Sequence, residues 1–358
     1  MKILIYLEKS DVRGGIEVFA ERHVARLRAE GHEVEVISSP LPVPHSPFPD
    51  CDEIIVHKCS DVATLEKFPP EKTVYYVHDH EPICPRGYAY TPLKRNCTRA
   101  GGVWPCIFCA PACRSWKAAL GRVFSQRRRI VAMSRFKKIV VISEFMKSRL
   151  VANGLPPEKI VVEPPKIESL RVGLGSDRGG IGSDGVGIGS NRVVEILNDP
   201  NQTLNDPNSP LKDSNPTLID PNLARVDLLY VGQLIRGKGV HLLLEAMARM
   251  KTPRNLDIVG TGNMEGELKS LASRLGLSGR VRFNGFQKNP EDWMRRATCV
   301  VVPSFWQEPY GLVAAEAASL GRKVVAFAIG GIPEACAGRA TLVEAGNIDA
   351  LAAALDKI

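Results

Sequence analysis

Short apolar runs of strand length alternate with amphipathic stretches of helical period along most of this chain. The opening run, KILIYL at residues 2–7, precedes a glycine loop, an amphipathic stretch that ends at Gly31, and an alternating run at residues 32–39. This order predicts a βαβ unit, because two parallel strands need a crossover helix between them. Further apolar runs of the first half predict strands at residues 52–57, 73–78 and 138–143.

The same alternation restarts in the second half of the chain. The predicted strands are residues 227–234, 256–260, 280–285, 299–304 and 323–328. The predicted helices between them are residues 241–250, 265–276 and 311–321. Two such segments predict an α/β protein with two parallel sheets, each covered by helices on both faces. We therefore expect one Rossmann-like domain at residues 1–165 and a second at 226–358, which suits a length of 358 residues.

The segment between the predicted domains, residues 166–225, repeats itself. Residues 173–224 can be written in units of seven, and the second block of units carries Leu197, Leu204, Leu211 and Leu218 in register. A coiled coil is excluded, because Gly or Pro recurs in the units and a single apolar position survives in each unit of the second block. We expect an expanded low-complexity heptapeptide linker, with stacking of the LNDPN units as successive turns as the alternative.

Charge is distributed unevenly along the chain. The net charge is +8, but residues 82–143 contain thirteen Lys or Arg and no acid, which leaves −5 for the rest. A basic, Cys-rich loop at residues 82–138 is predicted to attract anions such as phosphates or acidic lipid headgroups, with a solvated basic face as the alternative. No run of about 18 apolar residues occurs, so neither a membrane span nor a signal peptide is predicted. The expected location is the cytoplasm.

Two glutamates flank a predicted helix start after the strand at residues 299–304. Glu308 lies in the loop before the helix that begins near Gly311, and Glu316 lies within the helix. Both carboxylates could face a cleft at the carboxyl end of the sheet, where α/β sheets bind ligands. The unpaired N–H groups of the helix start would suit an anion. Ionised carboxylates accept hydrogen bonds from hydroxyl groups, so a phosphorylated ligand with sugar hydroxyls is indicated.

This run, from Pro303 to Ala335, resembles the glutamate, seven residues, glutamate signature of glycosyltransferase family 4. Members of that family are retaining enzymes with the two-domain GT-B fold. Four other segments resemble family motifs in chain order: the Gly14–Gly15 loop, YYVHDHEP, YVGQLIRGKGV, and IVGTGNMEGELKSLASRLGL followed by RVRFNGFQ. The resemblance covers nearly everything outside the repeats, although family members usually continue beyond a position equivalent to Ile358.

The resemblance implies a role for each matching residue. Arg236 and Lys238 would hold the donor diphosphate, Glu316 the ribose and Glu308 the transferred sugar. His78 would reach the sugar from the first domain, with His80 as the competing candidate. The other positions implied to bind the donor are Gly14, Gly15, Gly260, Gly262, Phe286, Tyr310, Gly311 and Leu312.

A cysteine cluster departs from the usual family pattern. Its members are Cys84, Cys97, Cys106, Cys109 and Cys113. The spacing allows one loop to present several thiolates to a structural zinc ion, and reduced packed thiols or an iron–sulfur cluster are the alternatives. The remaining cysteines at 51, 59, 299 and 336 are expected in the core.

By resemblance, the expected reaction moves a hexosyl group from a nucleoside-diphosphate sugar to an acceptor hydroxyl with retention. The acceptor would be a glycan or a lipid-linked precursor, and an anionic membrane surface at the inner face of the cell membrane is a further expected partner. No cofactor is expected to be required and no nucleic acid is expected to bind. A nucleotide-sugar epimerase of related architecture and a non-catalytic sugar-nucleotide-binding protein are the alternatives.

Overall fold

A computed structural model describes residues 1–8, 15–38, 48–84, 87, 89, 96–97, 106, 116–166 and 225–358. Gly14, Cys109, Cys113 and nearly the whole repeat segment lie outside these residues, so the predictions made for them stay predictions.

Residues of the first half form a parallel sheet of six strands with the order β2-β1-β3-β4-β5-β6. The strands are β1 (Lys2–Leu7), β2 (Glu33–Ser38), β3 (Glu53–Lys58), β4 (Thr73–Val77), β5 (Lys138–Val141) and β6 (Ile160–Val162). The helices are α1 (Gly15–Ala29), α2 (Val62–Leu65), α3 (Trp116–Arg135) and α4 (Glu144–Val151). All five residues of β4 are buried, as expected for a strand covered on both faces.

Residues of the second half form another parallel sheet of six strands, with the order β12-β11-β10-β7-β8-β9. The strands are β7 (Val226–Val231), β8 (Leu256–Val259), β9 (Val281–Phe283), β10 (Ala297–Val302), β11 (Lys323–Phe327) and β12 (Thr341–Val343). The helices are α5 (Val240–Arg249), α6 (Glu265–Arg274), α7 (Pro290–Arg296), α8 (Leu312–Ser319), α9 (Ile332–Cys336) and α10 (Ile348–Asp356).

Each sheet has a hydrophobic core on both of its faces. In the second sheet, Leu228 and Val301 pack on one face, and Leu229 and Val300 pack on the other. In the first sheet, β2 and β3 lie on opposite sides of β1, and in the second sheet, β8 and β10 lie on opposite sides of β7. The strand order therefore reverses at β1 and at β7. Such reversals open a crevice at the carboxyl ends of the strands. The predicted α/β fold class is confirmed.

The segment without acidic residues, residues 82–143, contains helix α3, which the hydrophobic pattern did not predict. Several of its basic residues pair with acids from elsewhere: Arg128 with Glu66, Arg129 with Glu81, Lys137 with Glu53 and Lys138 with Glu163. These partners reduce the one-sign field that the sequence predicts. None of the helices in the described part of the chain is both long and apolar enough to cross a bilayer.

Candidate active site

Loops at the carboxyl ends of the two sheets meet across a cleft. The first wall consists of the loops after β4 and β5. The second wall consists of the turn at Arg236–Lys238, the loop between β10 and α8, and helices α8 and α9. His80 donates from Nε2 to the carbonyl oxygen of Gln307 at 2.7 Å, and the Ser143 hydroxyl donates to the carbonyl oxygen of Pro309 at 2.5 Å. These two hydrogen bonds to backbone carbonyl groups join the two sides of the cleft.

A pocket of about 190 Å³ lies between these loops. The predicted site residues that line it are Gly15, His78 and Leu312. His80 also lines it, but the bond to Gln307 occupies its Nε2 and ties this ring to the contact between the walls. His78 is half-buried whereas His80 is buried, so His78 offers more of its ring to a ligand than His80 does.

Glu308 lies at the centre of a dense hydrogen-bond network on the second wall. Its Oε1 accepts from Lys238 Nζ at 2.6 Å, from Ser304 Oγ at 2.7 Å and from Trp306 Nε1 at 2.8 Å. Burial alone would raise the pKa of this carboxyl, but the charge of Lys238 and the three donors outweigh burial and lower the pKa. The Glu308 carboxyl is therefore ionised, and its hydrogen bonds hold it in one geometry.

The basic pair Arg236 and Lys238 lies on a single 3₁₀ turn before α5. Gly237 between them leaves room for the Trp306 ring, which a Cβ would approach to 2.7 Å. Gly239 then begins α5 with φ of +73°, in the left-handed region that favours glycine. Lys238 Nζ lies 5.4 Å from the centre of the Trp306 ring. Arg236 is exposed, so its guanidinium is accessible to an anion.

Glu316 lies on α8, and the cation that pairs with it lies on α1, on the opposite side of the cleft. Arg22 Nη1 on α1 is 3.8 Å from Glu316 Oε1 across the cleft. Burial raises the pKa of Glu316 to about 7, and the charge of Arg22 opposes that rise. The pKa of this carboxyl therefore lies near neutral pH, where its charge responds to what binds beside it.

The predicted glycine loop after β8 packs closely on the loop after β7. A Cβ on Gly260 would lie 1.9 Å from the carbonyl oxygen of Gly232, and one on Gly262 would lie 2.4 Å from that of Leu234. These glycines thus let the two loops approach each other closely. Phe286, at the end of the next loop, is 72% exposed.

A second glycine pair supports Glu308, and the sequence-based assignments did not include it. Gly330 has φ of +59° and Gly331 donates its N–H to the carbonyl oxygen of Glu308 at 2.8 Å. A Cβ on Gly330 would come within 2.3 Å of that oxygen. The signal that could have revealed them is the dipeptide itself, GG directly after a predicted strand.

The residues between Glu308 and α8 join the two walls. Gly311 precedes α8 with φ of +107°. Tyr310 is buried in a small apolar cluster with Ile142 of the first wall and Ala335 of the second. The Tyr310 ring therefore packs between the two sides of the cleft. Leu312 packs against the same cluster.

Asp79 is a pocket residue that the sequence-based assignments missed. Burial, followed by repulsion from Glu81, raises its pKa to about 6. It lines the pocket beside His78 and accepts a hydrogen bond from the backbone N–H of Glu81 at 2.8 Å. Its position between the two histidines of YYVHDHEP was the available signal.

Three members of the predicted metal cluster, Cys84, Cys97 and Cys106, are partly exposed. Among the residues with described positions, no three His, Cys, Asp or Glu side chains are grouped to hold a metal ion. The zinc prediction also needs Cys109 and Cys113, so it stays a prediction. The four cysteines expected in the core are all buried there: Cys51, Cys59, Cys299 and Cys336.

The two parallel sheets and the cleft at their carboxyl ends define a protein of the GT-B fold. Residues 219–358 match the family model for Glycosyl transferases group 1, which confirms the resemblance to glycosyltransferases for this part of the chain.

Individual relatives agree with this match. The chain is 37% identical over 111 residues to an uncharacterized glycosyltransferase, MJ1607, of Methanocaldococcus jannaschii, which is 30% of this chain and 28% of that protein. It is 38% identical over 122 residues to D-inositol 3-phosphate glycosyltransferase 1 of Catenulispora acidiphila, which is 30% of this chain and 29% of the relative. The matched region therefore spans less than a third of either relative.

A solved structure shows the same fold over the whole chain. Anabaena Alr3699/HepE in complex with UDP superimposes with a TM-score of 0.59 at 18% identity, covering 100% of this chain and 89% of that one.

Proposed function

We propose that this protein is a retaining glycosyltransferase that uses a nucleoside-diphosphate sugar. The observation that carries the proposal is the hydrogen-bonded pair of half-buried Lys238 and buried Glu308. The neighbours of Glu308 in sequence, Gln307 and Pro309, line the pocket together with His78. The family match of residues 219–358 supports it, because the pair belongs to the matched domain.

The donor would bind mainly to the second wall. Arg236 and Lys238 provide positive charge for the diphosphate, and the start of α8 adds unpaired backbone N–H groups. Glu316 would accept hydrogen bonds from the ribose hydroxyls, and Glu308 would face the sugar. Because the Anabaena protein of the same fold was solved with UDP-glucose, UDP-glucose is the first donor to test.

The proposed reaction uses the leaving group as its base. The bond between the anomeric carbon and the phosphate oxygen breaks while the acceptor oxygen forms a bond to that carbon on the same face. The acceptor proton moves to the departing diphosphate, so atoms and charges balance. Cationic side chains stabilise the negative charge that grows on the diphosphate, and the remaining contribution of the protein is positioning.

One experiment separates this function from its two alternatives. Purified protein is incubated with UDP-, GDP- or ADP-sugars, with and without an added pool of candidate glycans and lipid-linked acceptors, and released nucleoside diphosphate is measured. A glycosyltransferase releases it faster when acceptor is present. An epimerase converts the donor without release, and a binding protein does neither. Either of the last two results would overturn the proposal.

The exposed face of α3 supports an anionic partner on the acceptor side. Phe124 and Val131 are 57% and 52% exposed, and Arg127 and Arg135 are exposed beside them at helical spacing. An apolar stripe flanked by arginines suits the surface of an acidic membrane. Co-sedimentation with vesicles tests this, because equal binding to neutral and acidic vesicles at low salt would contradict it.

A further inference from the structure

Three histidines of the first domain form a chain of hydrogen bonds that ends at the pocket. His23 lies on α1, His57 on β3, and His78 directly follows β4. His23 Nδ1 is 3.1 Å from His57 Nε2, and His57 Nδ1 is 2.9 Å from His78 Nε2. Both are hydrogen-bond distances. His78 is the member of the chain that lines the pocket.

Two aromatic side chains enclose this chain of rings. The ring of Phe19 lies edge-on to His78 at 4.8 Å, and that of Tyr76 lies 4.9 Å from both His23 and His57. His57 is 1% exposed and His23 is 5% exposed. Close packing of this kind holds side chains in single rotamers, so the ring of His78 has a fixed orientation.

All three imidazoles are neutral near pH 7. Burial lowers the pKa of His23 to about 4 and that of His78 to about 3, and it lowers the pKa of His57 well below its usual value. A neutral imidazole carries one N–H and one lone pair. A ring that accepts on one nitrogen must therefore donate from the other, so both hydrogen bonds run in the same direction.

The charges near His23 select one of the two directions. Apart from burial, the larger influence on the pKa of His23 is repulsion by Arg26, which Glu163 opposes. Arg26 lies three residues after His23 on α1, about one helical turn away, and Nδ1 of His23 is bonded to His57. This positive charge therefore favours the lone pair over the proton on the other nitrogen of His23, Nε2. Each ring in the chain then carries its proton on Nδ1.

We propose that His57 and His23 are positioning residues that fix the ring of His78 and keep its proton on Nδ1. Because His57 occupies Nε2 of His78, Nδ1 is the remaining ring nitrogen for a ligand. His78 therefore presents an N–H donor, which suits an oxygen atom of a sugar hydroxyl. The identity of that ligand rests on the proposed function, whereas the protonation pattern does not.

Nitrogen-15 correlation spectra of the histidine rings in the wild-type protein test the pattern directly, without substrate. We expect His57 and His78 to be protonated on Nδ1 at pH 7, with single sharp signals. Protonation on Nε2, or a mixture of both forms, would overturn the proposal. His57→Leu should convert His78 to such a mixture, and an unchanged His78 signal in that variant would also overturn it.

Kinetics with UDP-glucose and acceptor then test the positioning role. His57→Leu should lower kcat about tenfold, because one positioning hydrogen bond is lost, while the Kd for UDP stays within about twofold. His57→Asn should recover most of the rate, since the asparagine amide nitrogen can replace Nδ1. His32→Gln, in the turn after α1, is the matched control and should behave as wild type.

The two hypotheses fail in different ways. If wild-type protein transfers no sugar, the proposed function fails and the spectra still decide the histidine chain. If wild-type protein transfers sugar and His57→Leu has the same kcat, the positioning role fails alone.

Discussion

The two walls of the pocket keep their ionisable groups in different charge states. The second wall holds the carboxylate of Glu308, paired with Lys238, in a buried position where charge is normally costly. The first wall holds His78 and His57, whose pKa values burial keeps far below neutrality. Glu308 is thus held as a charged carboxylate, whereas the imidazoles of His78 and His57 are neutral.

The difference follows from the number of compensating partners. Glu308 receives three donors on one oxygen, which repays its desolvation. The histidine chain gives each ring a neutral partner, so charging one ring would bring no matching acceptor. Arg236 and Lys238 of the second wall suit a diphosphate, and the neutral imidazole of His78 suits sugar hydroxyls.

Removing Lys238 should have the largest effect. Lys238→Ala leaves Glu308 buried without its cation and removes a positive charge from the diphosphate region. We expect kcat/KM to fall by about 10²–10³, as when one preorganised electrostatic group is lost, and the free energy of unfolding to fall by about 3 kcal/mol. Enzyme assays and denaturant titration measure the two effects.

Lys269→Ala is the control for this substitution, because Lys269 makes an equally short but exposed pair with Glu265, at 2.7 Å. Its effect on stability should stay below about 1 kcal/mol. Equal losses in both variants would show that the burial of the Lys238–Glu308 pair has no special importance.

Changing Glu316 should have the next largest effect. It should weaken donor binding but increase the stability of the fold. Glu316→Gln should weaken UDP-glucose about 10- to 100-fold, because a charged hydrogen bond to the ribose is lost. The same variant should be more stable than wild type at pH 8. The folded-state pKa of about 7 is above the usual value, so wild type loses stability as pH rises through that window.

The pH dependence of donor affinity checks the same carboxyl. In wild type, affinity for UDP-glucose should rise as pH rises through about 7, because only ionised Glu316 accepts two hydroxyl donors. UDP-glucose has no terminal phosphate that titrates in this range. A flat profile between pH 6 and 8, measured by calorimetry, would contradict the assignment of the ribose to Glu316.

A smaller effect is expected at the contact between the walls. Both Oε atoms of Glu334 accept from the first N–H groups of α4, Glu144 N at 2.7 Å and Phe145 N at 2.8 Å. Glu334→Ala should cost about 1 kcal/mol of stability, the usual value of a helix cap. Glu344→Ala, at an exposed position of the second domain, is the control in thermal unfolding, and equal melting temperatures would exclude the capping role.

The parts of the fold that the sequence predicted are those with long apolar patterns. Strands β1 and β10 have six residues each and were visible, whereas the three-residue edge strands β6 and β12 were not. Helix α3 was missed because exposed Phe124 and Val131 blur its apolar stripe. Short or two-sided patterns carry little periodicity, although the three-residue strand β9 was predicted within residues 280–285.

The site residues also divide into those that the sequence could assign and those that it could not. Glu308 and Lys238 could be assigned by resemblance to a family, but their pairing across 70 residues needs the fold. His23 and His57 could not be assigned, because a lone histidine on a helix or in an apolar strand resembles any core histidine. Their function depends on rings brought together from α1, β3 and the end of β4.

Isothermal titration calorimetry of UDP and UDP-glucose with wild type, Lys238→Ala and His78→Ala tests the division between the walls most directly. We expect Lys238→Ala to weaken both ligands at least tenfold, because both carry the diphosphate. His78→Ala should leave the Kd for UDP within about twofold and weaken only UDP-glucose, by about tenfold. The division would be contradicted if His78→Ala weakened UDP as much as Lys238→Ala does, or if wild type bound none of UDP, GDP and ADP.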